Sequence, residues 1–289
     1  HSTASTSSPN GRDQHREARR ERGILYPDTP RGEFPHLPKH DVLFTLCHAD
    51  EKTLLAEEVD RIAAEVAAYD CHSLILSEEG LSEPLYRRLE HLKAALCVFE
   101  VEIICYFKRP DLFLESLWIQ KCVEGRFKDD ITVFVGREFN QQRLRYAQIC
   151  NYWSSLGEVR AYNFEEIKAA GAFKSFLNAV GLEDMEVEEP FLNESTSVNC
   201  ANLLAALNKS GQAYRIGRVA HMFREDRAKP ALGRTLRQEV LDGCRPQLAK
   251  LKDRHGIAFD LTLPEGEADA PRTELPPDVV ARAFEEALT

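Results

Sequence analysis

The chain of 289 residues is acidic, with 37 Lys and Arg against 47 Asp and Glu and a formal net charge of -10 at pH 7. This charge argues against a general affinity for nucleic acid or for an anionic membrane, so any anionic ligand must be held by a local basic cluster. The hydrophobic content of 43% supports a sizeable core, and no stretch approaches the roughly 18 consecutive apolar residues of a membrane span.

The eight cysteines are spread along the chain without a C-x-x-C pair or a histidine at zinc-finger spacing. Several lie in apolar runs such as EIICYF and ALCVFE, where Cys behaves as a small hydrophobe. We therefore expect reduced core thiols and no metal site. Because no signal-peptide pattern of basic and then apolar residues is present, a cytoplasmic location is expected.

The first predicted elements follow a polar start. Residues 1–22 hold almost no large apolar side chains and are expected to be disordered on their own. The Pro and Gly density of GILYPDTPRGEFPHLPKHD predicts a loop. A helix is predicted over 50–70, with Asp50 as its N-cap. Its apolar residues share one face: Leu55, Val59, Ile62 and Val66.

Strands and helices then alternate. A short strand is predicted over 73–76, followed by the loop SEEGLS and a helix over 83–97. A buried strand over 101–107 ends at KRP, and a helix begins at Asp111. Its inward residues are expected to be Leu114, Leu117 and Trp118. This alternation predicts an α/β fold with a parallel sheet whose faces are covered.

The second half continues with the same kinds of element. A loop is predicted over 127–140, a helix over 141–157 capped by Gly157, and a strand over 158–164. Further helices are predicted over 171–184 and over 238–255. Another is predicted after the polar loop LNESTS, with these apolar residues: Val198, Leu203, Leu204 and Leu207. A tail rich in Pro and acidic residues ends the chain.

Polar residues lie after two of the predicted strands and on a third, near the sheet edge where open α/β folds bind ligands. After strand 101–107, Lys108, Arg109 and Ser116 could offer a phosphate two cations and a hydroxyl beside a helix start, or be solvated charges at a strand end. Glu79 could act as a general base for an acceptor hydroxyl, or be a surface glutamate. On strand 158–164, Arg160 and Tyr162 are expected to have structural roles.

The histidines do not form a predicted metal set. His36 and His40 are four positions apart, but Pro38 lies between them, so they cannot be assumed to share a helix face. His36 could instead line a substrate pocket. No Ser, His and Asp order of the nucleophile-elbow type is present.

In order, these segments resemble the bacterial branch of the sulfotransferase family, whose members are P-loop proteins. The resemblance runs from His1 to about Asp260 and is carried by REARRERGILYPDTP, SLILSEEGLSE, EIICYFKRPDLFLESLWIQKCVEG, LGEVRAYNFEE, FLNAVGLED, LNESTS and RPQLAKLKDRHGIAFD. It implies a three-layer P-loop fold with a central, mainly parallel sheet flanked by helices. The implied sulfotransferase-like domain covers 1–262, and 263–289 forms an acidic, Pro-rich tail with a short C-terminal helix.

Such enzymes move a sulfonate group from 3′-phosphoadenosine-5′-phosphosulfate to a hydroxyl or amine of a small-molecule or carbohydrate acceptor. By this resemblance, Lys108 takes the place of the arginine that grips the nucleotide's 3′-phosphate, with Arg109 beside it and Ser116 sharing the task. Lys keeps the charge but loses the bidentate fork. Glu79 falls in the acidic loop near the acceptor, where we hypothesise that it is the base, and His36 lies in the loop expected to meet the acceptor.

Counting back from GILYP without gaps sets HSTASTS on the family's phosphate loop, which usually reads H-K-T-G-T-T-S. The positions that would cradle the 5′-phosphosulfate are Ser2, Thr3, Ala4, Ser5, Thr6 and Ser7. Ser2 replaces the Lys that neutralises the transferring group, and Ala4 replaces the Gly that permits close backbone approach. The residues after Ser8 lack the apolar pattern of the family's buried helix, and the strand that precedes the loop is expected to be missing from the chain.

Three interpretations stay open. The protein could be an active sulfotransferase in which another cation replaces the lost Lys. It could be a sulfotransferase-fold binding protein, catalytically impaired, or an incomplete copy. It could also be a P-loop kinase or nucleotidase, although the missing G-K-S/T and the lack of an acidic pair placed to hold magnesium argue against this class.

Overall fold

A computed structural model describes residues 19–27, 40–77, 88–139, 142–184, 196–211, 216–223, 226, 230–266, 268–271, 275, 277, 279–281 and 285. The chain is α/β, mostly helical, with two small parallel sheets. It divides into two compact units, a first unit of 1–106 with 147–193 and a second unit of 107–146 with 194–289. The boundary expected after residue 262 stays a prediction.

The first sheet pairs two short strands. Strand β1 (Ile24–Leu25) runs parallel to β2 (Ser73–Leu74), with Ile24 opposite Ser73 and Leu25 opposite Leu74. The strand predicted over 73–76 is therefore confirmed at its first two residues. The buried cluster beside this sheet contains Ile24, Ile75, Leu177 and Leu182.

Two helices follow one another between β1 and β2, where one helix is predicted. Helix α1 (Asp41–Ala49) begins at the end of the predicted loop, and α2 (Lys52–Ala68) follows it. Asp50 is the C-cap of α1, with a φ of 65° and its N–H bonded to the Cys47 carbonyl. The prediction that Asp50 caps α2 was wrong because two helices meet there, and Asp tolerates the left-handed conformation that ends the first.

The second sheet joins two longer strands. After helix α3 (Leu89–Ala95), strand β3 (Glu102–Phe107) pairs with β4 (Glu158–Asn163). Phe107 is buried, but the rest of β3 is half-buried or exposed, so the prediction of a fully buried strand was wrong. Within the described residues β3 has one neighbouring strand. The described strands form two separate pairs, and the wider three-layer P-loop arrangement stays a prediction.

Gly157 has a packing role besides the predicted one. Helix α6 (Tyr146–Trp153) ends four residues before it, and the Gly157 N–H donates to the carbonyl of Trp153 at 3.3 Å. A Cβ at Gly157 would collide with the backbone carbonyl of Val101. The glycine therefore lets the chain entering β4 pass close to the chain entering β3.

The remaining helices of the first unit follow β4. Helix α7 (Phe164–Ala170) is capped by Asn163, whose side chain accepts from the Glu165 N–H at 3.0 Å. Gly171, with a φ of 97°, separates α7 from α8 (Ala172–Ala179).

The second unit is built on helix α4 (Pro110–Val123). It packs against α5 (Ile131–Glu138), α9 (Val198–Ser210) and α11 (Arg234–His255), and α9 packs against α10 (Ile216–Met222). The residues predicted to face inward on α4 are confirmed as buried: Leu114, Leu117 and Trp118. The apolar set predicted on α9 is buried as well.

Helix α5 lies where a loop is predicted. The Asp130 carboxylate accepts from the N–H groups of Thr132 and Val133 at 2.8 and 3.1 Å and so begins the helix. Tertiary packing then outweighs the low helix propensity of its β-branched residues. None of the described helices combines the length and hydrophobicity that a bilayer crossing requires.

Candidate functional site

Three of the predicted site residues lie together in the second unit. Lys108 and Arg109 connect β3 to α4, and Ser116 lies on the second turn of α4. The other predicted site residues fall outside the described residues: Ser2, Thr3, Ala4, Ser5, Thr6, Ser7, His36 and Glu79. The described part of the candidate site is therefore the junction of β3 and α4.

Lys108 and Ser116 are paired. The Lys108 ammonium Nζ donates to the Ser116 hydroxyl Oγ at 2.6 Å, and both residues are half-buried. Pro110 occupies the first turn of α4, where it sacrifices no helical hydrogen bond. An ammonium carries three donors and a hydroxyl one, so this pair beside a helix start has the chemistry to donate to a phosphate oxygen.

The guanidinium group of Arg109 is hydrogen-bonded within the protein. Its Nε and Nη2 donate to the two carboxylate oxygens of Asp111 at 2.8 and 2.9 Å. Its Nη1 donates to the backbone carbonyls of Asp260 and Thr262 at 3.0 and 3.3 Å. The contact that the resemblance implies between Arg109 and the nucleotide stays a prediction.

A second arginine shares the same carboxylate. Arg237 on α11 is 3% exposed, and its Nε donates to Oδ2 of Asp111 at 2.8 Å. The Asp111 side chain is 0% exposed. Two guanidinium groups therefore donate to one buried carboxylate beside the start of α4.

Tyr146 also contacts this junction. Its hydroxyl donates to the backbone carbonyl of Lys108 at 2.7 Å, and its ring stacks on Phe107 with centroids 4.6 Å apart. Sequence reasoning missed Tyr146, Asp111 and Arg237 as site residues. The contacts of Tyr146 and Arg237 span 38 and 126 positions, and no local pattern indicates such pairs.

In the first unit, His40 joins the chain segments that follow β1 and β2. Its Nδ1 accepts from the Ser77 N–H at 2.8 Å, so its Nε2 carries the proton and donates to the Pro27 carbonyl at 3.1 Å. The residue is 1% exposed. His40 is thus a buried structural histidine. The described residues contain no group of His, Cys, Asp and Glu able to hold a metal ion.

The residues of β4 make structural contacts. Arg160 forms an ion pair with Glu102 and donates to the Ala179 carbonyl. Tyr162 stacks on Tyr106 with centroids 5.4 Å apart. Burial, together with the neighbouring Tyr162 hydroxyl, raises the pKa of Tyr106 well above its ordinary value of 10.0. These contacts agree with the structural roles expected of Arg160 and Tyr162.

Comparison with known protein families, with curated proteins and with solved structures finds no match for this chain. The function is therefore inferred from the chemistry of the junction between β3 and α4 and from the ordered motifs of the sequence.

Proposed function

We propose that the protein is a sulfotransferase-like protein. Its donor would be 3′-phosphoadenosine-5′-phosphosulfate, and its acceptor a hydroxyl or amine of a small molecule or carbohydrate. The observation that carries the proposal is the hydrogen bond between Lys108 Nζ and Ser116 Oγ at 2.6 Å. These two residues match the positions that hold the 3′-phosphate in the family that the sequence resembles.

Physical chemistry supports an anion at this junction. The chain has a formal charge of -10, so a doubly charged phosphate needs a local cation. Lys108 supplies one, and the N–H groups of the first turn of α4 add the favourable end of a helix dipole. Because an ammonium lacks the planar fork of a guanidinium, we expect a weaker grip on the phosphate than an arginine would give.

In the proposed reaction, an acceptor oxygen attacks the sulfur atom of the donor. A new S–O bond forms while the S–O bond to the 5′-phosphate breaks, and adenosine 3′,5′-bisphosphate leaves. Glu79 would accept the proton that the acceptor hydroxyl loses. Lys108 and Ser116 would hold the 3′-phosphate and so orient the reacting end of the nucleotide.

A second candidate is a binding protein that no longer transfers sulfonate. Ser2 and Ala4 favour it, because they stand where the family has the charge-neutralising Lys and the loop Gly. The two candidates differ in turnover. Both would bind the bisphosphate, but only the enzyme would convert the sulfonate donor to the bisphosphate in the presence of an acceptor.

Calorimetric titration of the full chain tests the proposal. We expect adenosine 3′,5′-bisphosphate to bind more tightly than adenosine 5′-monophosphate, which lacks the 3′-phosphate. Lys108→Ala and Ser116→Ala should each weaken bisphosphate binding and leave monophosphate binding unchanged. Lys121→Ala, on the same helix but paired with Glu124, is the matched control. Equal affinity of wild type for the two nucleotides would refute the proposal.

A further inference from the structure

Tyr146 is buried directly beside the candidate phosphate ligands. It begins helix α6, is 2% exposed, and donates its phenol proton to the Lys108 carbonyl at 2.7 Å. A neutral hydrogen bond of this length is near the optimum for an O–H donor. The contact therefore fixes the peptide group from which the Lys108 side chain extends.

The neighbours of Lys108 are fixed as well. Phe107 is buried and stacks on the Tyr146 ring, with centroids 4.6 Å apart and ring planes 27° apart. Arg109 is bound to the carboxylate of Asp111. Lys108 thus lies between two anchored residues, and Tyr146 anchors its own carbonyl.

We infer that Tyr146 is a positioning residue for the 3′-phosphate, acting through the backbone of Lys108; this inference rests on the proposed function. A lysine side chain has many rotamers, and its ammonium reaches Ser116 only when its Cα and backbone are correctly placed. Loss of the phenol leaves the Lys108 carbonyl without this donor, so the peptide shifts and the pair with Ser116 loosens. Tyr146 itself does not touch the nucleotide.

Tyr146→Phe is the appropriate variant because it removes one oxygen and keeps the ring that stacks on Phe107. We expect the Kd for adenosine 3′,5′-bisphosphate to rise roughly three- to tenfold, the effect of one net hydrogen bond. The Kd for adenosine 5′-monophosphate should not change. Tyr152→Phe is the matched control, since it removes the same atom six positions further along α6.

A second measurement needs no nucleotide. Acetylation of the Lys108 amine by an N-hydroxysuccinimide ester is followed by peptide mass spectrometry in wild type and in Tyr146→Phe. In the wild type, the hydrogen bond that Lys108 Nζ donates to Ser116 Oγ restrains the amine. If the variant loosens this bond, we expect several-fold faster acetylation of Lys108. Acetylation of Lys121 should be equal in both proteins.

The two measurements separate the inference from the proposed function. If wild type does not bind the bisphosphate but the variant exposes the Lys108 amine, the proposed function fails and Tyr146 remains the residue that positions Lys108. If wild type binds and the variant changes neither affinity nor acetylation, the inference is overturned and the proposed function stands. Absence of both binding and any change in acetylation overturns both.

Discussion

Arg237 and Asp111 are 126 positions apart in sequence, yet Nε and Nη2 of Arg237 each lie 2.8 Å from Oδ2 of Asp111. The same carboxylate receives two donors from Arg109. This pairing ties α11 to the first turn of α4. It therefore supports the junction that carries Lys108.

Replacement of Asp111 by Asn should be strongly destabilising. It removes the charge that two enclosed guanidinium groups require, and breaking a buried ion pair typically costs about 3–5 kcal/mol. Urea unfolding followed by circular dichroism measures the change. Asp242→Asn serves as the control, because Asp242 is exposed and pairs with Arg245 on the surface. Equal unfolding midpoints for the two variants would rule out a structural role for the cluster.

Replacement of glycine by alanine should lower the stability of the fold at Gly157 and raise it at Gly136. The Cβ of Gly157→Ala would collide with the Val101 carbonyl, and such overpacking costs typically about 1–3 kcal/mol. Gly136 is an exposed helical position with no atom within 4 Å of an added Cβ, so Ala there should stabilise by about 0.5–1 kcal/mol. Thermal unfolding of both variants checks the opposite signs. A stabilised Gly157→Ala would show that the close passage beside Val101 does not exist in solution.

The stability of the protein should fall at alkaline pH. Burial raises the pKa of four thiols from 9.0 to about 12: Cys105, Cys122, Cys150 and Cys200. The unfolded chain therefore loses these protons first, and the free energy of unfolding decreases as the pH rises from about 9 towards about 12. Urea midpoints measured across this range should fall less steeply for Cys122→Ala than for wild type. Cys97→Ser, which changes an exposed thiol, should keep the wild-type slope. The same slope in all three proteins would contradict the prediction.

Restoring two residues of the phosphate loop should strengthen nucleotide binding. Ser2→Lys adds a cation for the 5′-phosphate, and Ala4→Gly permits close backbone approach. We expect the wild type to bind adenosine 3′,5′-bisphosphate weakly and the double variant to bind it about tenfold more tightly, as one added charge-assisted hydrogen bond would give. Adenosine 3′-monophosphate, which lacks the 5′-phosphate, should show no gain. Tight binding by wild type, or an equal gain for both nucleotides, would contradict this account of the loop.

Local sequence patterns predicted the segment of β3 and α4 that carries the described part of the candidate site. The apolar run of β3, the Pro110 helix start and the eight-residue spacing of Lys108 and Ser116 are all readable without tertiary information. Helix α5 was missed because β-branched residues disfavour a helix on propensity alone, although Asp130 is a good N-cap.

Long-range contacts were not predictable in the same way. Tyr146 lies in a stretch correctly expected to be helical, but nothing in that stretch indicates that its hydroxyl binds the Lys108 carbonyl. Arg237 immediately precedes the predicted start of its helix at residue 238, and only the fold brings it to Asp111. The sequence therefore indicates the proposed phosphate ligands, and the structure adds Tyr146 and Arg237 as residues that contact the same junction.

Phosphorus NMR of adenosine 3′,5′-bisphosphate shows whether Lys108 and Ser116 bind the 3′-phosphate, because it reports the 3′-phosphate and the 5′-phosphate separately. On addition of the wild-type chain, we expect the 3′-phosphate resonance to shift and broaden, and Lys108→Ala should largely abolish that change. Lys121→Ala should behave as wild type. A 3′-phosphate resonance that does not respond to the wild-type chain, or that responds equally to Lys108→Ala, would contradict the assignment of Lys108 and Ser116 as its ligands.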